Sequence, residues 1–302
     1  MLGYNSFSRM PKTVLVLLGS LAACSPRTLT LVNLYSDGAL PSLDGNPGDV
    51  SDAIAWDGGR TPSSIDGNPS EASDGSSPAT LWRGLVGLWH FDDGLGSLVA
   101  IDSSGNGNDG TLVGLDPPAQ PWVDGHLGGA LATNGVGYAM AADSPSIDGI
   151  TARVTLSAWV YFDGVIPVDY VTALSRQMGT TTGQYYHLSL YLGGIPTFFI
   201  GLKEGVPEAR AQGPQPIDSR RWTHLAGTYD GSRAILYVDG AEVGSWPISG
   251  VFAADTTPVI LGGNGNEAEV TERFPGSIDE VALFNRALSR DEIRLLATGA
   301  VF

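Results

Sequence analysis

The sequence contains almost no cysteine: Cys24 is the only one among its 302 residues. An intramolecular disulfide is therefore impossible, which excludes the small disulfide-stabilised domains. Histidine is also rare, and no two histidines have a metal-binding spacing such as H-E-x-x-H. The four histidines are His90, His126, His187 and His224. A Gly-x-Ser-x-Gly turn, a phosphate loop and a dinucleotide fingerprint are all missing, so the sequence carries no convincing signal for an enzyme.

Basic residues are scarce relative to acidic ones. The chain has 16 Lys and Arg against 32 Asp and Glu, which gives a formal net charge of −16. Nucleic-acid binding is excluded, because contacts to phosphate groups need a basic surface. The acidity has two interpretations that both stay open: it keeps the surface soluble, or some of the carboxylates bind Ca²⁺.

What the sequence does contain is glycine and proline, with 41 and 19 residues, while only 16% of residues are charged. A hydrophobic content of 42% with so many turn-forming residues is typical of an all-β protein. The length is sufficient for one large β-domain and additional segments.

The N-terminal residues 1–23 carry a basic start and a short apolar run, Val14–Leu18, which is too short for a transmembrane helix. The following Leu21–Cys24 resembles a bacterial lipobox, where a signal peptide is cut before a cysteine that becomes lipid-modified. We therefore expect a lipoprotein signal peptide, lipidation at Cys24, and a mature protein anchored outside the cytoplasm to the bacterial cell envelope, at the outer membrane. An ordinary secretory signal with an incidental cysteine is the alternative.

Residues 24–80 form a low-complexity segment dominated by Asp, Gly, Pro and Ser. Asp-Gly-Asn-Pro occurs twice in it, at Asp44–Pro47 and Asp66–Pro69. Such a segment lacks the apolar residues that would offset the entropy cost of ordering it. We expect a disordered N-terminal spacer between the lipid anchor and a folded domain at residues 81–302.

Three consecutive strands are predicted in the centre of that domain, at Thr223–Tyr229, Ala234–Val238 and Glu242–Trp246. The turns between them contain Asp230-Gly231 and Asp239-Gly240, and Asp-Gly turns favour tight β-hairpins. Because a three-stranded ribbon cannot bury its apolar face alone, a second sheet must cover it.

Further segments have the alternating or apolar pattern of β-strands. They are Leu85–Phe91, Ala130–Thr133, Tyr138–Ala141, Val154–Phe162, Tyr170–Leu174, Tyr185–Leu192, Thr197–Leu202, Pro258–Leu261 and Ser277–Phe284. A helix is predicted only near the C-terminus, where Ser289 and Glu292 have capping-box spacing and Gly299 follows the last apolar position. The predicted fold class is all-β: a two-sheet antiparallel sandwich with one short C-terminal helix.

Several motifs also resemble one known family. Trp222–Gly231 and Leu236–Gly240 resemble the central signature of laminin-G-like, concanavalin A-like lectin domains, the group that includes pentraxins. Asp102–Gly110 resembles the opening motif of these domains and Phe274–Ile293 resembles their closing motif. The resemblance implies a jelly-roll sandwich from about residue 81 to residue 297. It also implies non-catalytic binding of a glycan or an extracellular protein.

The same resemblance implies a structural Ca²⁺. Related jelly rolls hold one with an Asp of the last strand, carbonyls of the first strand and a nearby glycine loop. Asp279 would supply the carboxylate, Asp92 or its surroundings a carbonyl or carboxylate, and Gly135 or its neighbours another carbonyl. The alternative is that a backbone N–H or a cation such as Arg286 compensates the burial of Asp279.

Glu267, Glu269 and Glu272 are the one group of residues that suggests catalysis, because jelly-roll glycan hydrolases carry three acidic residues at similar spacing. The middle residue here is Glu where those enzymes have Asp, and the stretch follows a glycine-rich segment expected to be a loop. We therefore expect solvated glutamates and a non-catalytic protein. A glycan-cleaving enzyme that uses these residues and a purely structural envelope protein remain the alternatives.

Aromatic side chains that could stack on sugar rings are numerous, and the sequence does not select among them. The candidates are Trp122, Tyr161, Tyr170, Tyr185, Tyr191 and Trp246. Trp159 and Trp222 lie in the signature strands and are expected to be core residues.

Overall fold

Side chains alternate between the two faces of each strand in this protein, as the segment Val154–Phe162 shows. Its apolar residues at every second position, such as Leu156 and Val160, are completely buried between two sheets. The residues between them, such as Ser157 and Trp159, point to the opposite face. The computed structural model describes residues 78–115, 121–178, 184–202, 208–252 and 255–300.

The elements of the described residues are numbered here in chain order. The strands are β1 (Leu85–Trp89), β2 (Val99–Ala100), β3 (Gly110–Val113), β4 (Trp122–Asp124), β5 (Gly129–Ala132), β6 (Tyr138–Ala141), β7 (Val154–Phe162), β8 (Tyr170–Met178), β9 (Gln184–Tyr191), β10 (Ile195–Gly201), β11 (Ala209–Gln212), β12 (Trp222–Tyr229), β13 (Arg233–Val238), β14 (Ala241–Pro247), β15 (Val259–Leu261), β16 (Asn264–Gly265), β17 (Val270–Thr271) and β18 (Gly276–Phe284). The helices are α1 (Pro78–Leu81), α2 (Pro145–Asp148) and α3 (Arg290–Ala297).

Two eight-stranded sheets account for almost all of these strands. The first sheet has the order β14-β13-β12-β7-β18-β5-β4, with β1 also paired to β18. The second has the order β11-β10-β9-β8-β15-β6-β3-β2, and β16 and β17 form a separate hairpin. One continuous hydrophobic core contains side chains from both sheets, among them Leu156, Leu188, Phe198 and Leu225. The predicted all-β, two-sheet antiparallel sandwich is confirmed.

The central ribbon forms as predicted, since β12 pairs with β13 and β13 pairs with β14. The turn from β13 to β14 places Asp239 at φ 47° and Gly240 at φ 77°, the left-handed conformation that a two-residue hairpin turn requires. Gly227 lies against the ring of Phe198 in the facing sheet, where any Cβ atom would collide with it. The absence of a side chain there lets the two sheets approach each other.

The predicted C-terminal helix is α3, and its capping box is present: the Ser289 hydroxyl and the Glu292 carboxylate each bind the other's backbone N–H. Ile293 and Leu296 of α3 pack in a second, smaller hydrophobic cluster on the outer face of the first sheet. Helices α1 and α2 were not predicted, because four residues are too few to show helical periodicity. None of the helices in the described part of the chain is both long and apolar enough to cross a membrane.

The predictions for the N-terminal region lie outside the described residues. They comprise the signal peptide at residues 1–23, lipidation at Cys24 and the spacer up to residue 77. They stay predictions.

Trp159 and Trp222 pack on the outer face of the first sheet rather than between the sheets. Trp159 is nonetheless 7% exposed, since the ring of His126 stacks on it with 3.5 Å between the centroids. Trp222 is half-buried and lies beside Tyr161, its partner across the strand pair. The alternation of β7 and β12 decides this position, because neighbouring side chains point to opposite faces of a sheet.

Candidate functional site

A cleft of about 220 Å³ opens on the outer face of the second sheet. Strand pairing brings its residues together: Phe199 of β10 lies opposite His187 of β9 on one side and Arg210 of β11 on the other. The segment that carries the β16–β17 hairpin forms one wall of the cleft. The lining residues are Tyr170, Gln177, Tyr185, His187, Phe199, Glu208, Arg210, Asn264 and Glu272.

Aromatic rings form the floor of the cleft. His187 stacks on Phe199 with 4.2 Å between centroids and an interplanar angle of 11°. Tyr170 meets the same Phe199 ring edge-on at 5.2 Å and packs against Tyr191 at 4.9 Å. Phe199 and His187 are only 2% and 7% exposed, whereas Tyr170 is half-buried, so Tyr170 is the ring of this floor that a ligand can stack on. A fixed ring next to polar groups is the usual composition of a small-ligand site.

A compensated charge pair lies at one side of this floor. Arg210 Nη2 binds Glu208 Oε1 at 2.8 Å, and its guanidinium lies over the Phe199 ring at 5.0 Å and the Tyr170 ring at 5.6 Å. The hydroxyl of Tyr185 donates to the other oxygen of Glu208. Burial, and next the hydrogen bond to Glu208, raises the pKa of Tyr185 above its ordinary value. The positive charge of Arg210 is therefore already neutralised by groups of the cleft itself.

Glu272 is the second carboxylate of the cleft, and its backbone is locked against β8. It adopts φ 48°, an uncommon conformation for a residue with a side chain, and its carbonyl accepts the Thr172 N–H at 2.8 Å. Its Oε2 atom accepts hydrogen bonds from Thr172 Oγ1 and Asn264 Nδ2, each at 3.0 Å. Burial raises the pKa of Glu272. Residues that several contacts hold in an unfavourable backbone conformation cluster at functional sites.

His187 is connected to Glu272 through two hydroxyl groups. His187 Nδ1 lies 2.7 Å from Ser189 Oγ, and Ser189 Oγ lies 2.8 Å from Thr172 Oγ1, the same hydroxyl that contacts Glu272. Burial lowers the pKa of His187 to about 3, so the imidazole is neutral at physiological pH. The cleft thus contains a continuous hydrogen-bonded chain from a neutral imidazole to a carboxylate.

The three glutamates considered for catalysis are not brought together. Glu267 and Glu269 are exposed in the turn between β16 and β17, as expected for solvated loop residues. Glu272 differs, because it follows the hairpin and turns into the cleft, where it is half-buried. Glu272 lies in the cleft because of its tertiary contact with Thr172. The spacing of the three glutamates in the sequence does not indicate that one of them is half-buried and the other two are exposed.

Of the aromatic candidates, Tyr170 and Tyr185 line the cleft, while Tyr191 supports Tyr170 from the side. The others lie elsewhere: Trp122 is 8% exposed, and Trp246 is 46% exposed on the edge strand β14. Sequence reasoning missed Glu208 and Arg210, which lie in or next to β11. That strand has only four residues, too few for its alternation to be recognised.

Asp279, predicted as a metal ligand, is fully buried in β18. Its Oδ2 atom accepts the backbone N–H groups of His126 at 2.8 Å and Leu127 at 3.0 Å, and its Oδ1 atom accepts that of Glu280 at 2.7 Å. Arg286 binds a carboxylate of α3 instead. Burial raises the pKa of Asp279 to about 7, although these hydrogen bonds act in the opposite direction.

Asp92, the second predicted ligand, contacts the same loop as Asp279. Its Oδ1 atom accepts the N–H of Gly129 at 2.5 Å. A Cβ atom at Gly128 would collide with this oxygen, and one at Gly129 would lie 2.6 Å from the carbonyl oxygen of Phe91. Only glycine leaves room for the oxygen atoms that meet at this loop.

Oxygen atoms from three segments therefore converge between β1, β18 and residues 125–129. A Cβ atom at Gly125 would lie 2.7 Å from Asp279 Oδ2. The glycine loop at this place is not the one that contains Gly135, because that residue contacts Phe274 and Pro275. Within the described residues no three His, Cys, Asp or Glu side chains are grouped to hold a metal. Carbonyl oxygens would have to complete a site here, and such oxygen-rich sets fit Ca²⁺.

Comparison with known proteins agrees with this architecture. The family model described as the concanavalin A-like lectin/glucanases superfamily matches residues 133–294. Pappalysin-1 from Mus musculus is 32% identical over 109 residues, which cover 32% of this chain and 6% of that protein. The chain thus spans only a small fraction of the length of this curated relative.

Solved structures of several other proteins contain a similar sandwich. Domain 4 of an extracellular arabinanase from Geobacillus stearothermophilus, solved in complex with arabinotriose, has a TM-score of 0.54 at 23% identity, covering 70% of this chain and 98% of that chain. The binding domain of Paraclostridial Mosquitocidal Protein 1 has a TM-score of 0.54 at 19% identity, covering 72% and 53%. Trypanosoma rangeli sialidase has a TM-score of 0.51 at 18% identity, covering 72% and 33%. At these identities the similarity shows the fold alone.

Proposed function

This chain belongs to the concanavalin A-like lectin/glucanases superfamily, and from that premise we propose that its folded domain is a non-catalytic module that binds a glycan in the cleft on the second sheet. The observation that carries the proposal is the half-buried ring of Tyr170, which packs against Phe199 in the cleft beside fixed polar groups. Sugar rings have apolar faces that stack on such rings, and hydroxyl edges that need hydrogen-bond partners. The arabinotriose complex of the arabinanase domain shows that a sandwich of this type occurs with an oligosaccharide.

A structural Ca²⁺ is part of this proposal. Asp279 and Asp92 would supply carboxylate oxygens, and the carbonyl of Phe91 would add another. The close approach of glycines 125, 128 and 129 to these oxygens supports the assignment. A cation bound there would connect the first strand, the last strand and the loop between β4 and β5, and would stabilise the ionised form of Asp279.

The N-terminal sequence supports a location for this module. We propose that Cys24 carries a lipid anchor on the bacterial cell envelope and that residues 24–80 hold the domain away from the membrane. An unidentified extracellular protein is the other partner class, since a toxin binding domain with a similar fold occurs in complex with rat synaptotagmin II. A cleft lined by rings favours the glycan. The cleft also argues against a purely structural protein, for which a groove-free surface is expected.

One observation favours a second candidate function, a glycan-cleaving enzyme. Glu272 and Glu208 line the same cleft, and their environments differ: burial raises the pKa of Glu272, while Arg210 and Tyr185 bind Glu208. Carboxyl groups in different environments act as acid and nucleophile in glycosidases. This pair replaces the set of Glu267, Glu269 and Glu272 considered from sequence.

A glycan array followed by calorimetric titration tests the proposal. We expect at least one oligosaccharide to bind in the presence of calcium, and Tyr170→Ala to lower its affinity about tenfold through the loss of a stacking surface. Trp246→Ala is the matched control, because that ring is exposed on the edge strand β14 of the first sheet and does not line the cleft. Equal effects of both variants would contradict the assignment of the cleft. Release of reducing ends that stops in Glu272→Gln would establish the enzyme instead.

A further inference from the structure

The carboxylate of Glu272 offers one open oxygen atom to the cleft. Both hydrogen bonds from its neighbours, Thr172 Oγ1 and Asn264 Nδ2, go to Oε2. In the described part of the chain, no hydrogen bond reaches Oε1 and no cation pairs with Glu272. The other charged group that acts on its pKa is Asp169, which has the same sign. This open oxygen is therefore an acceptor that carries uncompensated negative charge.

The hydrogen-bonded chain to His187 fixes a second acceptor. An ionised Glu272 can only accept, so the Thr172 hydroxyl donates to it. Thr172 must then accept from Ser189, and Ser189 must accept from His187 Nδ1. The neutral imidazole therefore carries its proton on Nδ1, which leaves the lone pair of Nε2 free. His187 lines the cleft, so this nitrogen is an acceptor available to a ligand.

The remaining charges of the cleft do not favour an anion. Arg210 is neutralised by Glu208 and lies over two rings, and Tyr185 uses its hydroxyl proton on Glu208. The chain as a whole is acidic, with a net charge of −16. An anionic sugar would meet repulsion from Glu272, whereas a cation would meet the open oxygen and the half-buried ring of Tyr170.

We propose that the cleft selects glycans with a free, protonated amine, that is, amino sugars that are not N-acetylated. The ammonium group is the complement of the two acceptors, since it has three donors, no acceptor and a positive charge opposite Glu272 Oε1. His187 Nε2 accepts from an amine or hydroxyl of the same ligand. This inference rests on the proposed glycan-binding function and specifies its substrate class.

Calorimetric titration of the purified protein with defined oligosaccharides tests the inference. The probes are the tetramers of glucosamine, N-acetylglucosamine and galacturonic acid, an oligolysine peptide and a panel of neutral oligosaccharides, in calcium-containing buffer at about pH 6.5, where such an amine is protonated. We expect the glucosamine tetramer to bind at least about tenfold more tightly than the acetylated one, and the acidic tetramer not to bind.

Two matched variants separate the charge of the cleft from the charge of the hairpin. Glu272→Gln keeps the shape of the side chain and removes its charge, whereas Glu269→Gln makes the same change at an exposed position. We expect Glu272→Gln to lower the affinity for the glucosamine tetramer by a factor at least about ten times larger than any change in the affinity for neutral sugars. Glu269→Gln should change neither. Unchanged thermal unfolding of both variants shows that the fold is intact.

The outcomes distinguish this inference from the proposed function. Equal binding of the amine and acetylated tetramers, or an affinity that Glu272→Gln does not change, would overturn the amine selectivity while glycan binding stands. Binding of the neutral oligosaccharides alone would also overturn the amine selectivity and leave glycan binding in place. If no oligosaccharide binds, both proposals are wrong. Binding of oligolysine without any amino sugar would overturn the inference and indicate a protein ligand.

Discussion

The buried carboxylate of Asp279 predicts that calcium and pH act on the stability of this domain together. Its pKa is raised from the ordinary value of 3.8 to about 7 by burial. The folded chain therefore binds this proton more tightly than the unfolded chain does. The stabilisation is complete below the ordinary pKa and is lost as the pH rises through about 7. Glu280 beside it also has a raised pKa because of burial, and acts in the same direction.

The size of the effect follows from the pKa difference. At about 1.4 kcal/mol for each pH unit between the two values, ionisation of Asp279 lowers the free energy of unfolding by about 4 kcal/mol. Between about pH 5 and about pH 8 only the part of this loss that lies between about pH 5 and the folded pKa of about 7 is observed, which is about 3 kcal/mol. For a domain of this size 1 kcal/mol corresponds to about 2–4 °C in Tm, so a decrease of about 5–10 °C is expected. A cation favours the ionised form, and calcium at about a hundred times its Kd would restore about 2.7 kcal/mol.

Differential scanning calorimetry at about pH 5 and about pH 8, with EDTA or with calcium, measures the effects of pH and of calcium on Tm. The Tm in EDTA should fall between the two pH values, and calcium should recover it mainly at the higher pH. Asp279→Asn should remove most of both responses, whereas Asp291→Asn, on the exposed side of α3, should retain them. Equal Tm values with EDTA and calcium at about pH 8 would refute the calcium proposal. A Tm in EDTA that does not depend on pH would refute the reasoning about burial.

Two further predictions concern the sandwich itself. Gly227→Ala should lower the free energy of unfolding by about 1–3 kcal/mol, because the new methyl group collides with the Phe198 ring. In urea unfolding, the additional change Phe198→Leu should recover part of this loss. If the losses of the two substitutions simply add, the explanation is wrong. Ser289→Ala should lower the free energy of unfolding by about 1 kcal/mol through loss of the N-cap of α3, while Ser289→Thr keeps the hydroxyl and should change it little. Equal urea midpoints for the two variants would show that the cap does not contribute to stability.

Strands, turns and the C-terminal helix were predictable because their causes are local. Val154–Phe162 was predicted with the observed bounds from alternation alone, and the Asp239-Gly240 turn from its composition. The capping box at Ser289 was recognised for the same reason, since both of its members lie within one turn of chain. Short strands such as β11 and the β16–β17 hairpin were missed, because a few residues carry too little pattern.

The residues of the cleft could be recognised only in part. Tyr170 and Tyr185 were among the aromatic candidates, but nothing in their neighbourhood in the sequence distinguishes them from Trp246. Glu272 was grouped with Glu267 and Glu269 by spacing, whereas in the fold it is set apart from them by its backbone and side-chain hydrogen bonds to Thr172, a hundred residues away in the chain. Asp279 and Asp92 were predicted to share a metal site because of the family resemblance. Nothing in the sequence around either residue indicates that they lie close together.

The sequence by itself determined the all-β class, the position of most strands and the acidic character of the chain, since alternation, turn chemistry and charge are properties of neighbouring residues. Only the tertiary structure decided which side chains share the cleft. Pairing of β8, β9, β10 and β11 sets Tyr170, His187, Phe199 and Arg210 side by side. The physical reason is that strand register and sheet order depend on long-range burial, to which every segment of the sandwich contributes at once.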